Sequence, residues 1–227
     1  MPLSGLSKVL RLSSESIEEA LEAACRILLN GGIVALPTDT IYGLTTTLEN
    51  SNKLYALKRR SGAKPLGIFV SSWEEIKKIA DSSIVDQELL SSLLPGPVTL
   101  LFERAAALPS FFNPGVSVVG VRVPKYHFVQ ELSKRVGVPL AQTSANISGD
   151  TSPLSIADFE HLIPLIDLVI DGGVLGNNTA PLGSTVVDLS RPGFFHIIRP
   201  GCAEKATCQT LLKNGLEETN GDETSKL

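Results

Sequence analysis

The sequence predicts an α/β domain whose mixed β-sheet is covered by helices. Segments with helical periodicity alternate with short apolar runs along most of the chain. The last three apolar runs, 168–173, 184–189 and 195–201, follow one another without a helical segment, so the sheet is not purely parallel. The chain has 227 residues and is 43% apolar, which is enough for one sizeable core.

Each element has its own signal in the sequence. The first helix is expected between Ser16, where Glu19 completes a capping box, and the glycines at 31–32. Ser72 and Glu75 predict a second capping box. The other helices are predicted at 52–60, 86–94, 128–135 and 155–163, and the other strands lie within 7–16, 33–37, 98–104, 116–124 and 139–145.

We expect a single domain over residues 1–215 and a disordered tail over 216–227. Apolar segments continue to about Leu212 without a linker, whereas the last residues are polar. The N-terminus contains Lys, Arg and Ser but no secretory segment. A cytoplasmic protein is therefore expected, with a mitochondrial address as the alternative.

Charge and composition exclude several classes of function. The net charge of −4 does not attract nucleic acid or anionic membranes to the surface as a whole, so a phosphate site must be a local basic cluster. No apolar run reaches the length of a transmembrane segment. The three cysteines are too scattered for a disulfide framework or a zinc site. The chain also lacks a Walker loop and a Gly-x-Gly-x-x-Gly sequence.

Polar and basic side chains concentrate where predicted strands end. They are Thr38, Asp39, Thr40 and Tyr42, Arg122, Gln142 to Ser148, Ser184 and Thr185, and Arg199. Because ligands of open α/β sheets bind outside strand ends, these groups suggest one polar pocket. Capped turns explain any single segment as well, but turn chemistry does not call for arginines inside apolar strands.

A basic segment follows the second predicted helix. Lys58, Arg59, Arg60 and Lys64 lie within seven residues. Favourable interaction with the helix dipole is one explanation for these charges. Binding of a polyphosphate is the other, since it would relieve the repulsion among four cations.

Seven segments in this order resemble the YrdC-domain family, the L-threonylcarbamoyladenylate synthases, and in particular its single-domain animal members. They are PTDTIYGL, KRR followed by KPL, PGPVT, VGVRVP, TSANISG, LGSTVVDLS and IIRPG, and together they span roughly residues 10–205. The resemblance implies a twisted open sheet with helices on both faces around a central basic cavity. It also implies the conversion of L-threonine, bicarbonate and ATP to threonylcarbamoyl-AMP and pyrophosphate. A separate transferase complex would then use the product to modify an adenosine of tRNA.

The resemblance assigns roles to individual residues. The catalytic set would be Lys58, Arg60, Ser144 and Asn146. Threonine would be bound by Thr40, Arg122, Ser144 and Ser184, with Thr38 and Tyr42 shaping the same floor. ATP would be bound by Lys58, Arg60, Lys64, Asn146 and Arg199. Mg²⁺ would arrive with the nucleotide, without protein metal ligands, and no organic cofactor is expected.

Two alternatives stay open at this stage. A non-catalytic module could bind double-stranded RNA through the same basic concavity, although acidic charge and few aromatic residues argue against it. A carbamoyl-adenylate activity could serve another acceptor, as in hydrogenase maturation proteins. Serine could also replace threonine as the substrate, since one methyl group is worth only about 1–3 kcal/mol of discrimination.

Overall fold

One mixed β-sheet runs through the computed structural model, which describes residues 8–58, 64–147, 149–176 and 182–219. Within these residues the strands are β1 (Val9–Arg11), β2 (Val34–Leu36), β3 (Gly43–Thr47), β4 (Gly67–Phe69), β5 (Val98–Glu103), β6 (Val118–Arg122), β7 (Leu140–Ser144), β8 (Leu168–Asp171), β9 (Thr185–Asp188), β10 (Phe194–Arg199) and β11 (Glu217–Glu218). The α-helices are α1 (Ile17–Leu29), α2 (Asn52–Leu57), α3 (Gln87–Leu93), α4 (His127–Val136) and α5 (Glu204–Lys213). Leu48–Asn50, Trp73–Lys78 and Ile156–Leu165 form 3₁₀ helices.

The strand order is β1-β8-β2-β3-β7-β4-β6-β5-β9-β10-β11. Parallel pairs join β1 to β8, β8 to β2, β4 to β6 and β5 to β9, while β3, β7 and β4 are antiparallel neighbours. The prediction of a mixed rather than a purely parallel sheet is confirmed.

Helices cover both faces of the sheet, as predicted. Alternate residues of β2 show the division: Val34 and Leu36 pack in the cluster formed with α1 and α4, whereas Ala35 packs in the cluster that contains residues of α2, α3 and α5. This alternation follows from the pleat of a strand that is buried on both faces.

Two predicted capping boxes are not formed, although a helix begins at each place. Ser16 does precede α1, but its hydroxyl donates to the Arg11 carbonyl, so the capping box with Glu19 is not formed. The carboxylate of Glu75 accepts from Ser71 rather than Ser72, and the helix that begins there is 3₁₀. In both places a neighbouring serine offers the side chain a competing hydrogen bond.

The C-terminal segment continues further than the sequence suggested. Helix α5 was not predicted as a separate element, and β11 lies inside the segment 216–227 that was expected to be a disordered tail. β11 pairs in parallel with β10 and satisfies backbone groups along that strand, which explains its order. Residues 220–227 lie outside the described residues.

The helices of the described ranges are all too short or too polar to cross a membrane.

Candidate active site

A cavity of about 650 Å³ opens over the sheet at the ends of several strands. Its described lining contains four cations, Lys58, Lys64, Arg122 and Arg199, and no Asp or Glu. Neutral polar groups from β5, β7 and the segment before β9 complete the lining. An acidic protein therefore has a local cavity suited to anions.

Arg122 is a buried cation of the cavity. It ends β6, is only 4% exposed, and its Nη2 donates to Asp39 Oδ1 at 2.6 Å and to Thr40 Oγ1 at 2.9 Å. Its Nε is buried and makes no hydrogen bond to the described residues, and the same holds for Asp39 Oδ2. Burial lowers the pKa of Arg122, and the charge of Asp39 opposes that shift. The Asp39 carboxylate thus stabilises the charged form of the buried guanidinium and fixes the position of its Nη2.

The turn that carries Asp39 and Thr40 is organised by a hydroxyl group. Thr38 Oγ1 accepts from the Thr40 and Ile41 amides and donates to the Ile41 carbonyl at 2.7 Å. A turn of this kind replaces strand pairing where β2 ends. It directs Asp39 and Thr40 towards Arg122.

Tyr42 was expected to shape the floor of the pocket, but its hydroxyl bonds with the backbone after β8. Its hydroxyl donates to the Gly173 carbonyl at 2.7 Å and accepts from the Gly172 amide at 2.9 Å, beyond the end of β8. Burial raises its pKa well above the ordinary tyrosine range, with the Gly172 hydrogen bond acting in the opposite direction. Tyr42 lines the cavity while its polar end anchors the turn to β8.

Lys58 and the end of β7 form a second polar cluster. Lys58 is 3% exposed, and its Nζ donates to the Ser144 carbonyl at 2.7 Å, to Ser144 Oγ at 3.1 Å and to Asn146 Oδ1 at 3.2 Å. Ser144 Oγ in turn donates to Asn146 Oδ1 at 2.6 Å. Thr143 Oγ1 also accepts from Lys58. The predicted grouping of Lys58, Ser144 and Asn146 is therefore present.

Ser184 and Arg199 form a third group on the opposite wall. Arg199 Nη2 donates to the Ser184 carbonyl at 2.8 Å and lies 3.2 Å from its hydroxyl, which contacts Thr99 Oγ1 at 2.8 Å. Burial lowers the pKa of Arg199, and the nearby charge of Arg122 lowers it further. An anion between these two arginines would relieve their repulsion.

Asn113 supports the basic segment from outside the cavity. Its side-chain amide donates to the Leu66 carbonyl and accepts from the Leu66 amide, while the Tyr55 hydroxyl of α2 donates to the same Oδ1 at 2.6 Å. Asn113 thereby connects α2, which leads to Lys58, with the segment that follows Lys64. Its φ of 46° is in the left-handed region that asparagine tolerates.

The structure brings together most of the predicted site residues. The cavity is lined by Lys58, Lys64, Arg122, Ser144, Asn146, Ser184 and Arg199. Thr40 is not in the described lining, but its hydroxyl accepts a hydrogen bond from Arg122. Arg60 lies outside the described residues. Asp39, Thr99 and Thr143 were given no role from the sequence, because a single carboxylate or threonine near a strand end is also ordinary turn or strand chemistry.

The described lining of the cavity lacks the carboxylates expected of a Mg²⁺ site. No Asp or Glu is in its described lining, and the described ranges contain no group of three or more His, Cys, Asp or Glu side chains that could hold an ion. Hydroxyl and amide oxygens alone do not fit a protein-held Mg²⁺, which prefers carboxylates.

Comparison with known proteins identifies the family of this chain. The family model for Sua5, YciO and YrdC, described as "Telomere recombination", matches residues 26–201. The threonylcarbamoyl-AMP synthase of Bos taurus is 42% identical over 97% of this chain and 82% of its own length. The protein of that name from Homo sapiens is 46% identical over 85% of this chain and 71% of its own.

Solved structures show the same fold. P. abyssi Sua5 complexed with L-threonine superposes with a TM-score of 0.82 at 26% identity, over 98% of this chain and 66% of that chain. E. coli YciO has a TM-score of 0.71 at 21% identity, over 87% of this chain and 97% of that chain, which supports the fold alone. By its sequence and its fold, the chain belongs to the Sua5, YciO and YrdC family.

Proposed function

We propose that this protein is an L-threonylcarbamoyladenylate synthase, which converts L-threonine, bicarbonate and ATP to threonylcarbamoyl-AMP and pyrophosphate. The observation that carries the proposal is a single cavity that combines buried Arg122 with buried Lys58 and has no acidic residue in its described lining. The names of the mammalian relatives and the threonine complex of Sua5 support the same reaction.

The threonine carboxylate is assigned to Arg122. Both described hydrogen bonds of the guanidinium use Nη2, so Asp39 and Thr40 orient the group without occupying all of its donors. A carboxylate matches the planar guanidinium geometry. Thr40 and Ser184 are the neighbouring hydroxyl groups for the rest of the amino acid, with Thr38 shaping the turn.

The phosphates of ATP are assigned to Lys58 with Ser144 and Asn146. The three side chains already contact one another, which places the Lys58 ammonium at the end of β7. To donate to an oxyanion, Ser144 has to release Asn146 Oδ1, and the Asn146 amide has to release the Asp150 and Thr151 carbonyls. Lys64 extends this cationic surface, and Arg199 borders the nucleotide from the opposite wall. The role of Arg60 is proposed from the resemblance of the sequence alone.

The reaction then requires alignment and charge neutralisation rather than a nucleophilic side chain. Threonine nitrogen forms a C–N bond to bicarbonate, with loss of water, to give a carbamate. A carbamate oxygen forms a bond to the α-phosphorus, and pyrophosphate leaves with the electron pair of the broken P–O bond. Nucleophile and leaving group are both anionic, so Lys58 and the arginines lower the barrier by compensating charge.

The proposal also covers the metal ion, the fate of the product and the location of the protein. Mg²⁺ enters on the phosphates of ATP, since the described lining lacks a protein cage for it. The product passes to a tRNA-modifying threonylcarbamoyl transferase complex in the cytoplasm, and a mitochondrial pool is the alternative location. In the competing proposal, the positive charge of the cavity serves to bind RNA.

The test is pyrophosphate release from ATP by the purified chain, with threonine and bicarbonate each added or omitted. We expect release only when both are present. Release without threonine would contradict the proposed reaction, and binding of double-stranded RNA without any release would favour the competing assignment.

A further inference from the structure

Gln142 is a polar residue of the cavity that has no role in the assignments above. It lies in the middle of β7, is half-buried and lines the cavity. Its side-chain amide makes no hydrogen bond to any residue in the described part of the chain. Two N–H donors and one carbonyl acceptor therefore face a space where a ligand can use them.

The backbone beside Gln142 leaves room for this amide. Gln142 pairs with Gly67 of β4, and a Cβ at position 67 would lie 2.3 Å from Gln142 Nε2. Gly120 of β6 follows in the same row of the sheet, one residue before the pair of Ile68 with Val121. The amide therefore lies over the bare backbone of Gly67, with the side chains of Thr99 and Leu101 beyond it over Gly120, and both glycines line the cavity.

This row of residues lies between Arg122, to which the threonine carboxylate is assigned, and Ser144, to which phosphate is assigned. Arg122 follows Gly120 by two residues on β6, and Ser144 follows Gln142 by two residues on β7, which runs in the opposite direction. Two residues of a strand span about 6–7 Å. The row of Gly120, Gly67 and Gln142 thus lies between the Arg122 side and the Ser144 side of the cavity.

The chemistry of the proposed product places one group over this row. In threonylcarbamoyl-AMP the carbamoyl group links the threonine nitrogen to the α-phosphate. If Arg122 holds the threonine carboxylate and Lys58, Ser144 and Asn146 hold the phosphate, the carbamoyl group has to lie between them.

We propose that the Gln142 side-chain amide binds bicarbonate and the carbamate that forms from it. The inference rests on the proposed function and names a site for its third substrate. The amide N–H groups donate to the carboxylate-like oxygens of bicarbonate and then of the carbamate. The neutral amide adds no further charge, which leaves the carbamate oxygen nucleophilic towards phosphorus.

The experiment measures KM for bicarbonate in CO₂-depleted buffer, together with binding of threonine and of ATP by calorimetry. Gln142→Leu keeps the size of the side chain without its hydrogen bonds, and Gln142→Glu puts a negative charge beside the anion. Gly67→Ala displaces the amide without deleting it. Gln87→Leu, at an exposed position on α3, is the matched control.

We expect Gln142→Leu and Gly67→Ala to raise KM for bicarbonate about 10- to 100-fold, the range for losing a hydrogen bond to a charged group. Gln142→Glu should raise it further, and threonine and ATP binding should stay at the values of the Gln87→Leu control. An unchanged bicarbonate KM in an active, folded Gln142→Leu protein overturns the assignment, as does a rise confined to KM for ATP. A wild-type chain without threonine- and bicarbonate-dependent release overturns the proposed function and this inference together.

Discussion

At the scale of the residue, the ion pair of Arg122 and Asp39 places a buried positive charge in the cavity. A guanidinium at the end of a buried strand loses its hydration, and a buried charge is retained only where a partner compensates it. Asp39 supplies that partner at 2.6 Å from Nη2, and Nη1 makes no hydrogen bond to the described residues. Under the proposed function, Nη1 is the donor that remains for the threonine carboxylate.

We predict that Arg122→Ala weakens threonine binding about 10- to 100-fold, the range expected for lost charge-assisted hydrogen bonds. ATP binding should change little, because Lys58, Ser144 and Asn146 are held by their own contacts. Calorimetry with each ligand separately measures the two effects. Equal losses for both ligands would contradict the assignment of Arg122 to threonine.

Stability provides the control for this variant. Arg122→Ala leaves the Asp39 carboxylate unpaired in a buried site, which costs up to about 3–5 kcal/mol. The double variant Asp39→Ala with Arg122→Ala removes both charges and should recover most of that stability without recovering threonine binding. Recovery of threonine binding would show that the first variant had acted through folding.

At the scale of the element, the site depends on turns that follow strands. The turn between β2 and β3 is held at one end by the Thr38 hydroxyl and at the other by Tyr42, which reaches past β8 to Gly172 and Gly173. Asn113 likewise connects Tyr55 of α2, before the basic segment, with Leu66, after it. These links come from distant parts of the chain and set the positions of Thr40 and Lys58.

We predict that Tyr42→Phe lowers the free energy of unfolding by about 1–3 kcal/mol near pH 8, since the Gly172 amide and the Gly173 carbonyl lose a buried partner. The difference from wild type should shrink at alkaline pH. Burial raises the pKa of Tyr42 in the folded protein, so above about pH 10 the unfolded chain releases the proton first and wild-type stability falls. Urea unfolding at several pH values measures this, and a difference that grows between pH 9 and 11 would contradict it.

At the scale of the whole molecule, the fold concentrates positive charge within an acidic protein. The net charge is −4, yet the described lining of the cavity is exclusively neutral or cationic. Small anions are attracted to the cavity, whereas the surface as a whole does not favour long polyanions.

We predict one cooperative thermal transition, as expected for a single domain, and a rise in its midpoint when ligands bind. At about 100 times its Kd, a ligand stabilises the folded state by about 2.7 kcal/mol, which corresponds to a shift of about 5–10 °C for a domain of this size. Differential scanning calorimetry with threonine, ATP and both measures the shift. Two separate transitions would contradict the single domain over residues 1–215.

Much of the fold was predictable because it depends on local patterns. The apolar runs that became β2, β5, β6 and β7 are recognisable from composition, and the lack of helices between β8, β9 and β10 indicates a mixed sheet. The capping boxes at Ser16 and Ser72 were wrong because the Ser16 hydroxyl bonds with Arg11 and Ser13, and Glu75 accepts from Ser71. Helix α5 and β11 were missed because their order depends on packing and pairing at the edge of the sheet.

By itself, the sequence determined the α/β class, the segments that carry polar groups at strand ends, and the presence of Arg122 in an apolar strand. These follow from periodicity and residue chemistry, which act over short distances. Only the tertiary structure decided that Asp39 pairs with Arg122, that Tyr42 anchors its turn to β8, and that Gln142 lies over Gly67. Such contacts join residues separated by 75 or more positions, and their geometry comes from strand order and register, which no local pattern specifies.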